Sequence, residues 1–104
     1  MQAAELRHPI EIEQKVEAGD GFTWTRFRRV MASIKPLSAR EFIGQDQTLG
    51  GAESVVKIWY IDGIDPTMRI RRGTIIYNIL GVLPDDRSGR EWITMPVSRG
   101  TNEG

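Results

Sequence analysis

Isoleucines at positions 10 and 12 alternate with Glu11 and Glu13, the two-residue period that turns one face of a strand inward and the other to water. Residues 22–34 carry a longer version of the same pattern, ending with Val30, Ala32 and Ile34 set against Met31, Ser33 and Lys35. The run Arg26-Phe27-Arg28-Arg29 interrupts that alternation and predicts a bend or a solvent-facing stretch. Between the two strands, Ala18-Gly19-Asp20-Gly21 reads as a polar turn, and the wider stretch 17–22 as a long loop that the core does not need.

Pro36 is expected to end the second strand. Ser38 followed by Glu41 makes a capping box, in which the hydroxyl accepts an amide proton of the first helical turn and the carboxylate returns to the cap amide. Leu37 and Phe42 flank it as a hydrophobic staple, so the pattern predicts one short helix over about 38–48. Thr48-Leu49-Gly50-Gly51 then gives a flexible exit.

Four further strands are predicted, over 55–61, 68–71, 74–83 and 91–97, each bounded by turn residues. Asp62-Gly63-Ile64-Asp65-Pro66 separates the first two, Arg72-Gly73 the next two, and Pro84-Asp85-Asp86-Arg87-Ser88-Gly89 the last two. The expected fold is therefore mainly β, a small antiparallel six-stranded barrel or sandwich with one short helix inserted between strands two and three. Residues 1–97 form the single domain of this reading, and the small polar stretch 98–104 a flexible tail.

Composition narrows the function. A chain of 104 residues buries a core but leaves little volume for a deep cleft. The formal net charge is +0, so the molecule has no overall field to draw in nucleic acid or acidic membranes, and any such contact is local or created by assembly. Cysteine is absent, which excludes disulfides, thiolate zinc sites and thiol nucleophiles. The longest apolar run, 75–82, contains Tyr77, Asn78 and Gly81 and falls far short of the roughly 18 residues a membrane span requires. Glu5, Arg7 and His8 stand where a signal peptide would be apolar, and the expectation is a soluble, cytoplasmic protein.

The residues offer little catalytic chemistry. His8 is the lone histidine and is expected to be structural or at the surface. Asp62 with Asp65, and Asp85 with Asp86, sit among turn residues that favour aspartate for backbone reasons, a better account than calcium or acid/base chemistry. Gly50-Gly51 precedes strand residues and reads as a hinge rather than a phosphate cradle. No cofactor or metal site is expected, and an enzyme would need convergent polar residues that the sequence does not assemble.

Arginine is the more suggestive feature. Alternation would put Arg26 with Arg28, and Arg69 with Arg71, on shared faces, near Arg29 and Arg40 as further candidates. Such clusters are either solvated faces balanced by Glu11, Glu13 and Glu17 or contacts to an acidic partner or a phosphate backbone. Trp24, Trp59 and Trp92 fall on three separate strands, as base-stacking platforms or as core and interface aromatics.

Three segments in order, Glu5-Leu6-Arg7-His8-Pro9-Ile10, then Met31-Ala32-Ser33-Ile34-Lys35-Pro36-Leu37-Ser38-Ala39-Arg40-Glu41-Phe42, then Ile64-Asp65-Pro66-Thr67-Met68-Arg69-Ile70, resemble the head-tail adaptor family of tailed bacteriophages. These are head closure or stopper proteins, found also in prophages and gene transfer agents. The Arg72-Gly73 turn and the Tyr77-Asn78-Ile79 strand extend the resemblance, while Met31 and Pro9 depart from the family's usual residues. The resemblance implies a barrel subunit made in the host bacterial cytoplasm that assembles in the neck of the virion. It implies a homo-oligomeric ring, a dodecamer, with the portal or adaptor above and a tail terminator or tail completion protein below. Packaged double-stranded DNA would pass through the ring without sequence specificity, and no membrane is involved. Gly44, Gln45, Asp46, Gln47, Thr48, Leu49, Gly50 and Gly51 become the candidate lumen or gating loop, with the 17–22 loop second. The alternative is a small nucleic-acid-binding barrel that uses the arginines and tryptophans as a monomer.

Overall fold

A computed structural model describes residues 5–37, 51–85 and 89–100. Seven strands occupy most of them: β1 (His8–Ala18), β2 (Gly21–Pro36), β3 (Ser54–Trp59), β4 (Arg69–Arg72), β5 (Ile75–Ile79), β6 (Leu83–Pro84) and β7 (Trp92–Arg99). Every pairing is antiparallel, in the order β3-β2-β1-β4-β5-β7-β6, and β3 also pairs with β7. Six strands thereby close into a barrel, one of the two forms expected of the six-stranded antiparallel fold, and β6 is a two-residue addition at its edge. The expected helix over about 38–48 lies outside the described residues, with Ser38, Arg40, Glu41 and Phe42.

The alternation fills the barrel. Ile10 and Ile12 of β1, Val56 and Ile58 of β3, Ile70 of β4 and Met95 and Val97 of β7 are the large side chains wholly removed from water. Each such burial contributes about 1.5–3 kcal/mol, and these side chains point into the barrel and form its core.

Strand bounds differ from the sequence expectation where backbone hydrogen bonding, invisible to side-chain periodicity, decides them. The strand expected over 74–83 is broken: β5 stops at Ile79, and β6 resumes at Leu83 on the same edge of β7. The break falls beside Pro96, whose carbonyl accepts from the Leu80 amide at 2.9 Å and which has no N–H to offer that edge. β7 runs past residue 97, because Ser98 and Arg99 pair with Asn78 and Tyr77 and the Gly100 amide donates to the Ile76 carbonyl at 2.7 Å. The stretch 17–22 is not a long loop. Glu17 pairs with Phe22 and Ala18 with Gly21 around the two-residue turn Gly19-Asp20, whose first residue has the φ of 61° that a II′-type hairpin requires.

The hairpin of β1 and β2 outgrows the barrel. β4 pairs with β1 only at residues 11–13, and β3 pairs with β2 only from Ser33 onward. Residues 14–18 and 21–25 consequently pair only with each other, as a two-stranded arm. At the opposite end of the barrel the chain leaves at Leu37, whose amide donates to the Glu53 carbonyl at 2.9 Å, and returns at Gly51.

Candidate assembly surface

The arm and the barrel meet at a β-bulge. Glu13 faces Arg26 and Ile12 faces Arg28, so Phe27 is an extra residue with no partner on β1. Its ring packs against the core and over Gly63, where a Cβ would lie 3.0 Å from the ring edge. The bulge corrects the expected arginine faces: Arg26 shares the outer face with Arg29, not with Arg28. Arg28 stands opposite Ile12 and lays its guanidinium 4.7 Å from the Phe27 ring centre.

Register then builds two rows of charge across the outside of β2, β1 and β4. Arg26, Glu13 and Arg69 form one row, and Arg29, Glu11 and Arg71 the next. Glu13, only 6 % exposed, accepts from Arg69 Nε at 2.7 Å and lies 3.7 Å from the Arg71 guanidinium. Arg69 also covers the Trp24 ring, 4.3 Å from its centre. Arg69 is held by a carboxylate, and four guanidiniums stand against two carboxylates overall. An open depression of about 440 Å³ between Pro9, Glu11, Arg29 and Arg71 marks its lower edge.

Trp59 and Trp92 face each other across β3 and β7 and stack with ring centres 3.8 Å apart. This pair is a surface feature. Trp59 is 48 % exposed and Met31 46 %, and with Leu6, Val30 and Ile61 they line an apolar groove of about 380 Å³. Sequence reasoning placed the tryptophans on separate strands but missed Met31 and Leu6, since only the splaying of β2 from β3 opens the groove between them.

The remaining candidates have local roles. His8 Nδ1 lies 3.1 Å from an Arg72 nitrogen; arginine only donates, so this nitrogen accepts and His8 is a structural partner. Asp65 accepts from the Thr67 amide at 2.8 Å and from its hydroxyl, and Asp85 accepts from the Glu91 amide at 2.7 Å, the turn chemistry expected of them. Asp62 accepts from the Tyr60 phenol at 2.5 Å, and that bond holds the phenol above its ordinary pKa. Among the described residues no three carboxylates or imidazoles are grouped as a metal site. Of the candidate loop 44–51, only Gly51 is described, and it is exposed beside a buried Ala52.

A barrel carrying a projecting arm, a charged outer face and an exposed tryptophan pair keeps its distinctive features on the outside, the layout of a small structural module. The chain matches the phage head completion protein family over residues 1–100, and it belongs to that family. It is accordingly a structural, head-related virion protein. Its fold is similar to the solution structure of protein SF1141 from Shigella flexneri 2a, at 26 % identity and a TM-score of 0.76, covering 99 % of this chain and 100 % of that one. It is also similar to a chain in the virion of a native gene transfer agent particle, at 20 % identity and a TM-score of 0.63, over 90 % of this chain and 93 % of that one. No curated protein matches in sequence.

Proposed function

We propose that this chain is the head closure, or stopper, subunit of the head-tail connector. Copies form a ring beneath the portal or its adaptor, retain the packaged DNA and offer the tail its attachment platform. Family membership over residues 1–100 carries the reading. The surface supports it: the binding features lie outside a filled barrel, where ring neighbours reach them, and a ring multiplies the excess positive charge of Arg26, Arg29, Arg69 and Arg71 by the copy number. That face would meet phosphates by charge alone, without reading sequence. Residues 44–51, in the stretch of chain between β2 and β3, are the segment this reading gives to the channel lumen.

Electron microscopy of the particle neck tests the ring. Density for this chain between portal and tail is expected, and its absence from the neck sinks the proposal. Particles lacking the gene should package DNA and then lose it, read as nuclease-sensitive genome in purified heads. Removal of residues 44–51 should reproduce that leakage if the segment retains DNA; tight heads would end that assignment. The nucleic-acid-binding alternative calls for tight oligonucleotide binding by the isolated chain, weakening steeply with salt.

A further inference from the structure

We infer that the tip of the β1–β2 arm docks into the Met31–Trp59 groove of a second copy of this chain. The inference deepens the ring reading by naming the contact between neighbours.

The arm carries a half-exposed aromatic anchor near its tip. Phe22 is 45 % exposed although Trp24 meets it edge-on at 6.2 Å and Lys15 lies 4.2 Å from its ring centre. An isolated two-stranded hairpin is marginal in water, and these ring contacts, with Arg69 over Trp24, hold this one in shape before any partner arrives. Phe22 stands directly opposite Glu17, next to the turn that bears Asp20, so the tip presents an aromatic ring with carboxylates toward the turn and the Lys15 ammonium on its barrel side.

The groove offers the converse. Its floor is apolar, and Trp59 is fixed there by its stack on Trp92. Lys57 lies two residues from Trp59 on the same outward face of β3, and Lys35 lines the adjoining depression with it, two exposed ammonium groups against the single carboxylate of Glu5. Aromatic ring meets apolar slot, and carboxylates meet ammonium groups.

A chain cannot satisfy its own groove. Phe22 and Met31 lie on one continuous strand, nine positions apart, a separation of about 30 Å at ~3.3 Å per residue. Two arms pairing with each other would set Glu17 and Asp20 against their own copies. Arm into groove instead joins two different surfaces, the head-to-tail arrangement that a ring requires and that closes when the rotation between neighbours divides a full turn.

The absence of cysteine makes a direct test available. Asp20→Cys and Lys57→Cys variants of the full chain are mixed at high concentration and oxidised. A disulfide-linked pair containing one of each is expected, at least about tenfold above the pairs either variant forms alone, and Phe22→Ser should lower it by about tenfold. Circular dichroism checks that each variant is folded. Equal cross-linking by Asp20→Cys alone would mean arm-to-arm pairing and overturn the inference, as would no mixed disulfide either in solution or in particles whose necks contain the chain. A mixed disulfide from a chain missing from the neck would support the contact while sinking the connector reading.

Discussion

In the barrel every strand is flanked on both sides, whereas in the arm each strand has a single neighbour. Ile12 and Ile70 sit in pairs that share one buried interior, while Lys15, Val16, Thr23 and Trp24 pair across a ribbon with water on both faces over most of its length. The same alternating sequence thus produces a scaffold in one place and a tool in the other. Stability is concentrated where strands close, and accessibility where they do not.

Amide hydrogen exchange should separate the two regions most sharply. Barrel amides such as those of Val56, Ile70 and Met95 should exchange at the rate of global unfolding, and those of residues 14–18 and 21–25 several orders of magnitude faster. Uniform protection would mean that arm and barrel open as one unit. Ile70→Ala should cost about 2–5 kcal/mol in denaturant unfolding, because it empties a fully buried site that the closed sheet cannot collapse around. Val16→Ala on the arm should stay within about 0.5 kcal/mol. At the junction, Glu13→Ala should cost about 2–3 kcal/mol, since it strips the carboxylate from the part-buried Arg69 and releases its hold beside Trp24. If the simultaneous Arg69→Met change recovers none of that loss, the ion pair is not its source. Gly63→Ala should cost about 1–2 kcal/mol: its φ of 90° suits glycine, and a methyl group would press on the Phe27 ring. Smallest is Trp24→Phe. The indole N–H is buried without an acceptor, so its removal should be neutral or stabilise by up to about 1 kcal/mol, and a loss above that would show the larger ring to be needed where the arm joins the barrel.

Periodicity made the barrel legible. Ile10 and Ile12 announced their faces, the turn residues around 55–61 and 91–97 announced two more strands, and the choice between barrel and sandwich was left to the pairing. The arm was hidden for a physical reason: alternation reads the same whether a strand has one neighbour or two. Ala18-Gly19-Asp20-Gly21 looked like the centre of a loop because small polar residues serve both loops and tight hairpins, and only pairing tells them apart. The interruption at residues 26–29 was visible, but its effect on arginine facing was not, since a bulge is defined by the opposite strand's register. The groove likewise depends on where β2 and β3 part, which no local pattern records.

Phe27 serves the molecule as an inserted bead on a thread whose knots stay in place. Because the bulge takes up one residue without disturbing the partners on either side, Glu13 keeps Arg26 and Ile12 keeps Arg28 whatever that residue is. The side chain at this position is free of the facing rule that binds its neighbours, and it packs against the core over Gly63. Excising Phe27 altogether should therefore leave the outer rows of charge aligned while removing that packing, separating the surface's pattern from the core's stability.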